Sequence, residues 1–183
     1  MLDAQDIRTF LHGTTRYFEV AAQQPAFVGS PYLMNPGAPE MHEYTGMISV
    51  SGRRDGVVYF TAPRGMLTVL LMRMNESDVS HENMCDVVGE VANTIAGNAR
   101  RDFGNQFVIS VPTVLAGNSG KPQLPKDGQP IVIPINWRSH SARLLTSVVG
   151  PQRVASWHRS AAHISRAASS FTTAPAGAGR APS

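Results

Sequence analysis

Two pairs of strand-like segments, each joined by a very short connection, restrict this chain more than any other feature. Tyr44–Ser51 and Gly56–Thr61 are separated by Arg53-Arg54-Asp55-Gly56, which reads as a tight turn. Ile131–Arg138 and Ala142–Val149 are separated by Ser139-His140-Ser141. Parallel neighbours need a crossover of a dozen residues or more, so both pairs must run antiparallel. An all-parallel sheet is thereby excluded.

The remaining segments place helices around these hairpins. Ile7, Phe10, Leu11, Thr14, Phe18 and Ala21 keep a helical period to about residue 22, with Asp3 as N-cap and Leu2 positioned to staple against Ile7. Gly13 weakens that helix slightly. A strand is expected at Ala26–Met34, followed by a Pro/Gly loop at Asn35–Glu40. Pro63 suits the first turn of a short helix, Arg64 to Met74, whose nearly all-round Leu and Met content implies burial. Asn75-Glu76-Ser77-Asp78 supplies caps for a long helix, about Val79–Phe103, ending near Gly104. A strand at Phe107–Leu115 and a Gly/Pro-bearing loop from Ala116 to Gly128, read as mobile or interactive, precede the second hairpin. The order is helix, three strands, two helices, three strands. It predicts an α+β fold, with six antiparallel strands in one or more sheets and helices packed on one face.

Composition matters for what it excludes. The formal charge is +3, but Arg153, Arg159, Arg166 and Arg180 follow Gly150, where there is no acid. Residues 1–149 hold 12 basic and 13 acidic side chains, a charge of −1, so nothing there attracts nucleic acid. The longest apolar run, Met66 to Met72, is far too short for a membrane span. The N-terminus lacks the pattern of a secretory signal, and the single cysteine, Cys85, fits a cytoplasmic protein without disulfides. Three parts are expected: a folded domain at 1–149, a basic extension at 150–168, and a disordered Ser/Thr/Ala/Gly/Pro tail at 169–183. In the extension Val154, Trp157, Ala161, Ile164 and Ala168 have amphipathic helical spacing. Trp157 suits docking to the domain as well as anchoring to a partner or membrane surface.

The long helix carries the chemistry. With Val88 as reference and 100° per residue, Met84, Val91 and Ile95 gather on one side. Asp86, Glu90, Asn93 and Gly97 fall opposite, as one polar stripe. Asn98 lies nearer the apolar side, where a satisfied structural amide is the commoner reading. Such a stripe is most often a solvated face. Two glycines, Gly89 and Gly97, argue against that, since each costs about 1 kcal/mol of helix propensity relative to Ala and implies close packing or close approach. Other chemistry finds little support. There is no Gly-rich phosphate loop, dinucleotide fingerprint or nucleophile elbow. The six histidines are scattered, with none read as a partner for Cys85, and Cys85 is read as a small apolar residue. Phe10, Phe18 and Phe60 read as core, and Trp137 as half-buried packing.

Asp86-Val87-Val88-Gly89-Glu90-Val91-Ala92-Asn93 resembles the D-x-x-x-E-x-x-N signature of the CheC/CheX/FliY chemotaxis phosphatase family. Thr94-Ile95-Ala96-Gly97-Asn98-Ala99-Arg100 is similar to that family's recurring A-G-N segment, and Phe107–Val114, with Pro112, to the strand after it. The likeness covers residues 1–149. One such helix, not two, points to the CheX-like branch and a CheC/CheX-like fold. The resemblance implies hydrolysis of the aspartyl phosphate on a CheY-like response-regulator receiver. Asn93 would orient the attacking water, Glu90 would pair with the receiver's active-site lysine, and Asp86 and Gly97 would contribute to partner binding. It implies no cofactor or metal of the chain's own, Mg²⁺ being held by the receiver, and it is compatible with a homodimer. The alternative is a docking or scaffold module of the same fold that binds a receiver or motor-switch partner without catalysis.

Overall fold

A computed structural model describes residues 2, 4–34, 41–117, 124 and 129–149. The elements in order are α1 (Ala4–Val20), β1 (Phe27–Val28), β2 (Tyr32–Leu33), β3 (Tyr44–Gly52), β4 (Asp55–Ala62), α2 (Arg64–Arg73), α3 (His81–Phe103), β5 (Phe107–Ile109), β6 (Thr113–Ala116), β7 (Ile131–Trp137) and β8 (His140–Val149). Every strand pairing is antiparallel. The order across the sheet is β1-β7-β8-β4-β3-β5, with β2 also on β7 and β6 also on β3. The six expected strands thus occupy six positions of one sheet, and the two outer positions are each split in two.

Both splits have a backbone cause. Between β1 and β2, Pro31 has no N–H to donate, and the strand stays near β7 through Gly29 N donating to Pro134 O and Met34 N to Pro130 O. Between β5 and β6 the chain bulges from β3 at Ser110–Pro112. The Ser110 amide still donates to Ser49 O at 2.9 Å, while the Ser110 Oγ accepts from Ser49 N at 3.0 Å. Each expected turn also proves shorter: Asp55 pairs with Val149 and Gly56 with Val50, leaving Arg53-Arg54 as the connection. Gly52 takes φ +104° at its start. His140 and Ser141 likewise belong to β8, opposite Trp137 and Asn136.

The three helices share one core on one sheet face, with Phe10 and Phe18 of α1, Leu67 and Leu70 of α2, and Val88 and Ile95 of α3 packed against Ile48, Phe60 and Leu144. The other face buries Met47, Val57, Tyr59, Val132 and Leu145, against which Met34 and Leu124 pack. Leu124 belongs to the connection expected to be mobile or interactive, so that connection contributes at least one side chain to packing. Helix α2 corrects the expectation of all-round burial. It buries Met66, Leu67, Leu70 and Leu71, whereas Met72 is 63% exposed and Met74, which caps it, 43%. Trp137 is fully buried, not half-buried, because Phe18 lies 5.6 Å from it and its indole N–H donates to Gln24 O. Asp3, the expected N-cap of α1, and residues 150–183 lie outside the described residues.

Three features fix where α3 sits. Its start is capped at Ser80, whose hydroxyl accepts from Asn83 N, and Asp78 in turn accepts from the Ser80 amide and hydroxyl. Its end is closed by Gly104 at φ +83°. Midway, Gly46 of β3 allows the helix to lie directly on the sheet. A Cβ at Gly46 would strike the Val88 carbonyl oxygen and come within 2.9 Å of Ala92 Cβ. The N-terminal end of α1 is tied to the β3–β4 turn by Arg54, which donates to both oxygens of the buried Asp6 at 2.7 and 2.8 Å and lies over the Phe103 ring.

Candidate functional site

Seating Val88, Ala92 and Ile95 on the sheet turns the opposite face of α3 outward. Asp86 and Glu90 are exposed, and Asn93 and Gly97 are half-buried. The predicted stripe therefore exists as an accessible surface, flanked by α1 on one side and by Pro112–Val114 on the other. Its two glycines do different things. A Cβ at Gly89 would sit 3.2 Å from Val114 Cγ2 and 3.4 Å from Pro112 Cβ, so Gly89 serves packing of the helix against β6. A Cβ at Gly97 would meet nothing within 4 Å among the described residues, so no contact among them accounts for it.

Glu90 is held from its own helix. Thr94, one turn on, donates its hydroxyl to Glu90 Oε1 at 2.8 Å. The second carboxylate oxygen is left for another cation or donor. Tyr17 of α1 lies near enough to feel this charge. Its hydroxyl is pushed well above the usual phenol range, first by burial and then by the negative charge of Glu90. That hydroxyl is buried and has no hydrogen-bond partner among the described residues. An orphan donor of this kind costs roughly 1–3 kcal/mol.

Beside Glu90 an open cleft of about 290 Å³ runs between α1 and α3, with Arg16, Tyr17, Val20, Glu90, Asn98 and Arg101 among its walls. The two helices cross closely at Gly13, where a Cβ would come within 3.3 Å of Asn98 Cβ and Ile95 O. Asn98 accordingly donates to Gly13 O at 3.4 Å. It is a structural amide, as its position suggested, and it also lines the cleft. Sequence reasoning missed Arg16, Tyr17, Thr94 and Arg101. Thr94 was available from its i+4 spacing to Glu90. The α1 residues were signalled only by Gly13, read as a weakness of the helix and not as a crossing point.

One part of the reading of Cys85 needs correction: a histidine does lie beside the thiol. His81, one turn earlier, places Nε2 3.7 Å from Cys85 Sγ, and its Nδ1 lies 3.1 Å from the Tyr44 hydroxyl. The thiol nevertheless has a raised pKa, through burial and then the charges of Asp86 and Glu82, which disfavours the thiolate. Among the described residues no group of three or more His, Cys, Asp or Glu side chains could hold a metal ion. No helix among them is long and apolar enough to cross a membrane.

A family model described as chemotaxis phosphatase CheX matches residues 44–136, from β3 through β7, with all of α3 inside the match. The chain belongs to the CheX family. Solved structures agree on the fold. A CheC-like superfamily protein from Shewanella sp. PV-4 is 22% identical, with a TM-score of 0.71, covering 81% of this chain and 100% of its own. Chemotaxis protein CheX from Vibrio vulnificus is 20% identical, with a TM-score of 0.70, covering 80% and 100%. CheX from Borrelia burgdorferi, in a complex with CheY, BeF3 and Mg²⁺, is 17% identical, with a TM-score of 0.60, covering 78% and 96%. Comparison with curated proteins finds no match. The family match includes Asp86, Glu90, Asn93 and Gly97, whereas Arg16 and Tyr17 precede it.

Proposed function

We propose that this CheX-family chain hydrolyses the aspartyl phosphate of a CheY-like receiver domain, with Glu90 and Asn93 as the working residues. The observation that carries the reading is their placement. They stand on adjacent turns of the outward face of α3, Glu90 has one carboxylate oxygen already held by Thr94, and the next turn is kept low by Gly97. Membership of the family supports it, as does the existence of a relative whose structure is a complex with CheY.

The chemistry asks little of the phosphatase. An aspartyl phosphate is an activated acyl phosphate, and the receiver would hold a Mg²⁺ of its own to supply charge stabilisation for the phosphoryl group. What remains is to hold one water in line with phosphorus and keep bulk solvent away. Water oxygen attacks phosphorus, the bond from phosphorus to the aspartyl oxygen breaks, and the products are the free carboxylate and inorganic phosphate. The Asn93 carboxamide orients that water without ionising. Glu90 pairs with the receiver's active-site lysine and sets the register of the helix. Asp86 contributes a contact at the rim, and Gly97 permits close approach. Acting on a receiver would place the chain in the cytoplasm.

Asn93→Ala and Glu90→Gln separate the roles. Asn93→Ala is expected to abolish accelerated phosphate release while a beryllofluoride-loaded receiver still binds, and Glu90→Gln to weaken binding as well. Full turnover by Asn93→Ala would show the assigned mechanism to be wrong.

A further inference from the structure

The cleft beside Glu90 has properties that the hydrolytic mechanism does not use. Arg16 and Arg101 stand exposed at its rim, and neither makes an ion pair with any described residue. Val20, 68% exposed, and Met74, 43% exposed, leave apolar surface to solvent in its walls. Tyr17, 4% exposed, is also in the wall. Two cations without an ion pair among the described residues and uncovered apolar side chains meet in one concavity, which the Glu90 carboxylate also lines. That combination suits an apolar side chain accompanied by a carboxylate. The cleft is open, which suits a protruding side chain of a protein more than an enclosed small molecule. It is also continuous with the stripe, because Glu90 belongs to both.

We infer that this cleft is a second docking point for the phosphorylated receiver, taking an exposed apolar side chain and a neighbouring Asp or Glu from the receiver's surface beside its phosphorylation site. The inference rests on the receiver-phosphatase reading above. The apolar side chain would cover Val20 and Met74, and the carboxylate would lie between Arg16 and Arg101. A contact of this kind selects among receivers, since every receiver offers the reacting phosphate but not the same side chains around it. Arg16, Tyr17 and Val20 of the cleft precede the segment that matches the family model, whereas Met74 and Arg101 lie inside it.

The test uses the full chain and a receiver that it dephosphorylates, loaded with beryllofluoride and Mg²⁺. Kd is measured for the wild type, Arg16→Glu, Arg101→Glu, Val20→Asp and the control Arg8→Glu. Arg8 is exposed on α1 two turns from Arg16 and outside the cleft, and its replacement makes the same charge change. The cleft variants are expected to weaken binding at least tenfold, with the loss in turnover assays falling on KM, while Arg8→Glu changes Kd less than twofold. All four positions are exposed, and thermal unfolding of each variant checks that the fold persists. Wild-type binding with cleft variants within twofold would overturn the docking point alone, as would an equal loss in Arg8→Glu. A wild-type chain that bound no receiver would overturn this inference together with the reading beneath it.

Discussion

Replacing Gly97 separates a docking surface from an ordinary solvated helix face, because stability and function should move in opposite directions. Gly97 lies inside α3, six residues before its end, where glycine is unfavourable relative to alanine by about 1 kcal/mol. A Cβ there meets nothing within 4 Å among the described residues, so no steric cost from them offsets the gain. Gly97→Ala should therefore stabilise the domain by about 1 kcal/mol, raising Tm by roughly 2–4 °C for a domain of this size. Gly97→Leu should stabilise it by a similar amount, Leu being nearly as good a helix former. If the stripe receives a partner closely, the leucine side chain occupies space that the partner needs. Dephosphorylation of the receiver should then lose at least tenfold in kcat/KM, about 1.4 kcal/mol of transition-state stabilisation. Thermal unfolding and phosphate release on the same preparations read both quantities. A Gly97→Leu protein that is more stable and fully active would refute close approach at this turn.

Other perturbations bear on separate parts of the account. Gly46→Ala drives a methyl group into the α3 backbone at Val88, and should destabilise by at least about 1–3 kcal/mol in denaturant unfolding, since the clash is with main chain. Thr94→Val removes the 2.8 Å hydrogen bond to Glu90 and should weaken receiver binding by about 1 kcal/mol, roughly fivefold, with little change in Tm. Cys85 should alkylate more slowly at neutral pH than an unperturbed thiol. Its rate-against-pH curve should be displaced upward, since burial and the Asp86 and Glu82 charges hold the proton on; a rate above that of a free thiol would contradict this.

How much the sequence disclosed follows from the range of the interactions involved. The hairpins were legible because a short connection and period-two patterning act within a few residues. Their exact turns were not, since the pairing of Asp55 and His140 into strands depends on the partner strand. The outer positions read as single strands because apolar residues flank Gly29–Pro31 and Ser110–Pro112 closely on both sides. In each gap the proline's missing N–H interrupts the ladder over only three residues. The stripe on α3 was legible from helical geometry alone, and the structure leaves it accessible. The cleft was not legible, because Arg16, Met74 and Arg101 come from three segments brought together only by packing. The bond between Arg54 and Asp6, 48 residues apart, escaped notice for the same reason. Burial of α2 was overestimated because a sequence rich in Leu and Met cannot say which of those side chains its last turn leaves to solvent, as it does Met72 and Met74.

The most direct measurement is the decay of phosphorylated receiver proteins from the same organism, each followed with and without this chain. The account predicts accelerated release of inorganic phosphate from at least one receiver, with Mg²⁺ present. It would be contradicted if every phosphorylated receiver decayed at its own intrinsic rate in the presence of the folded protein.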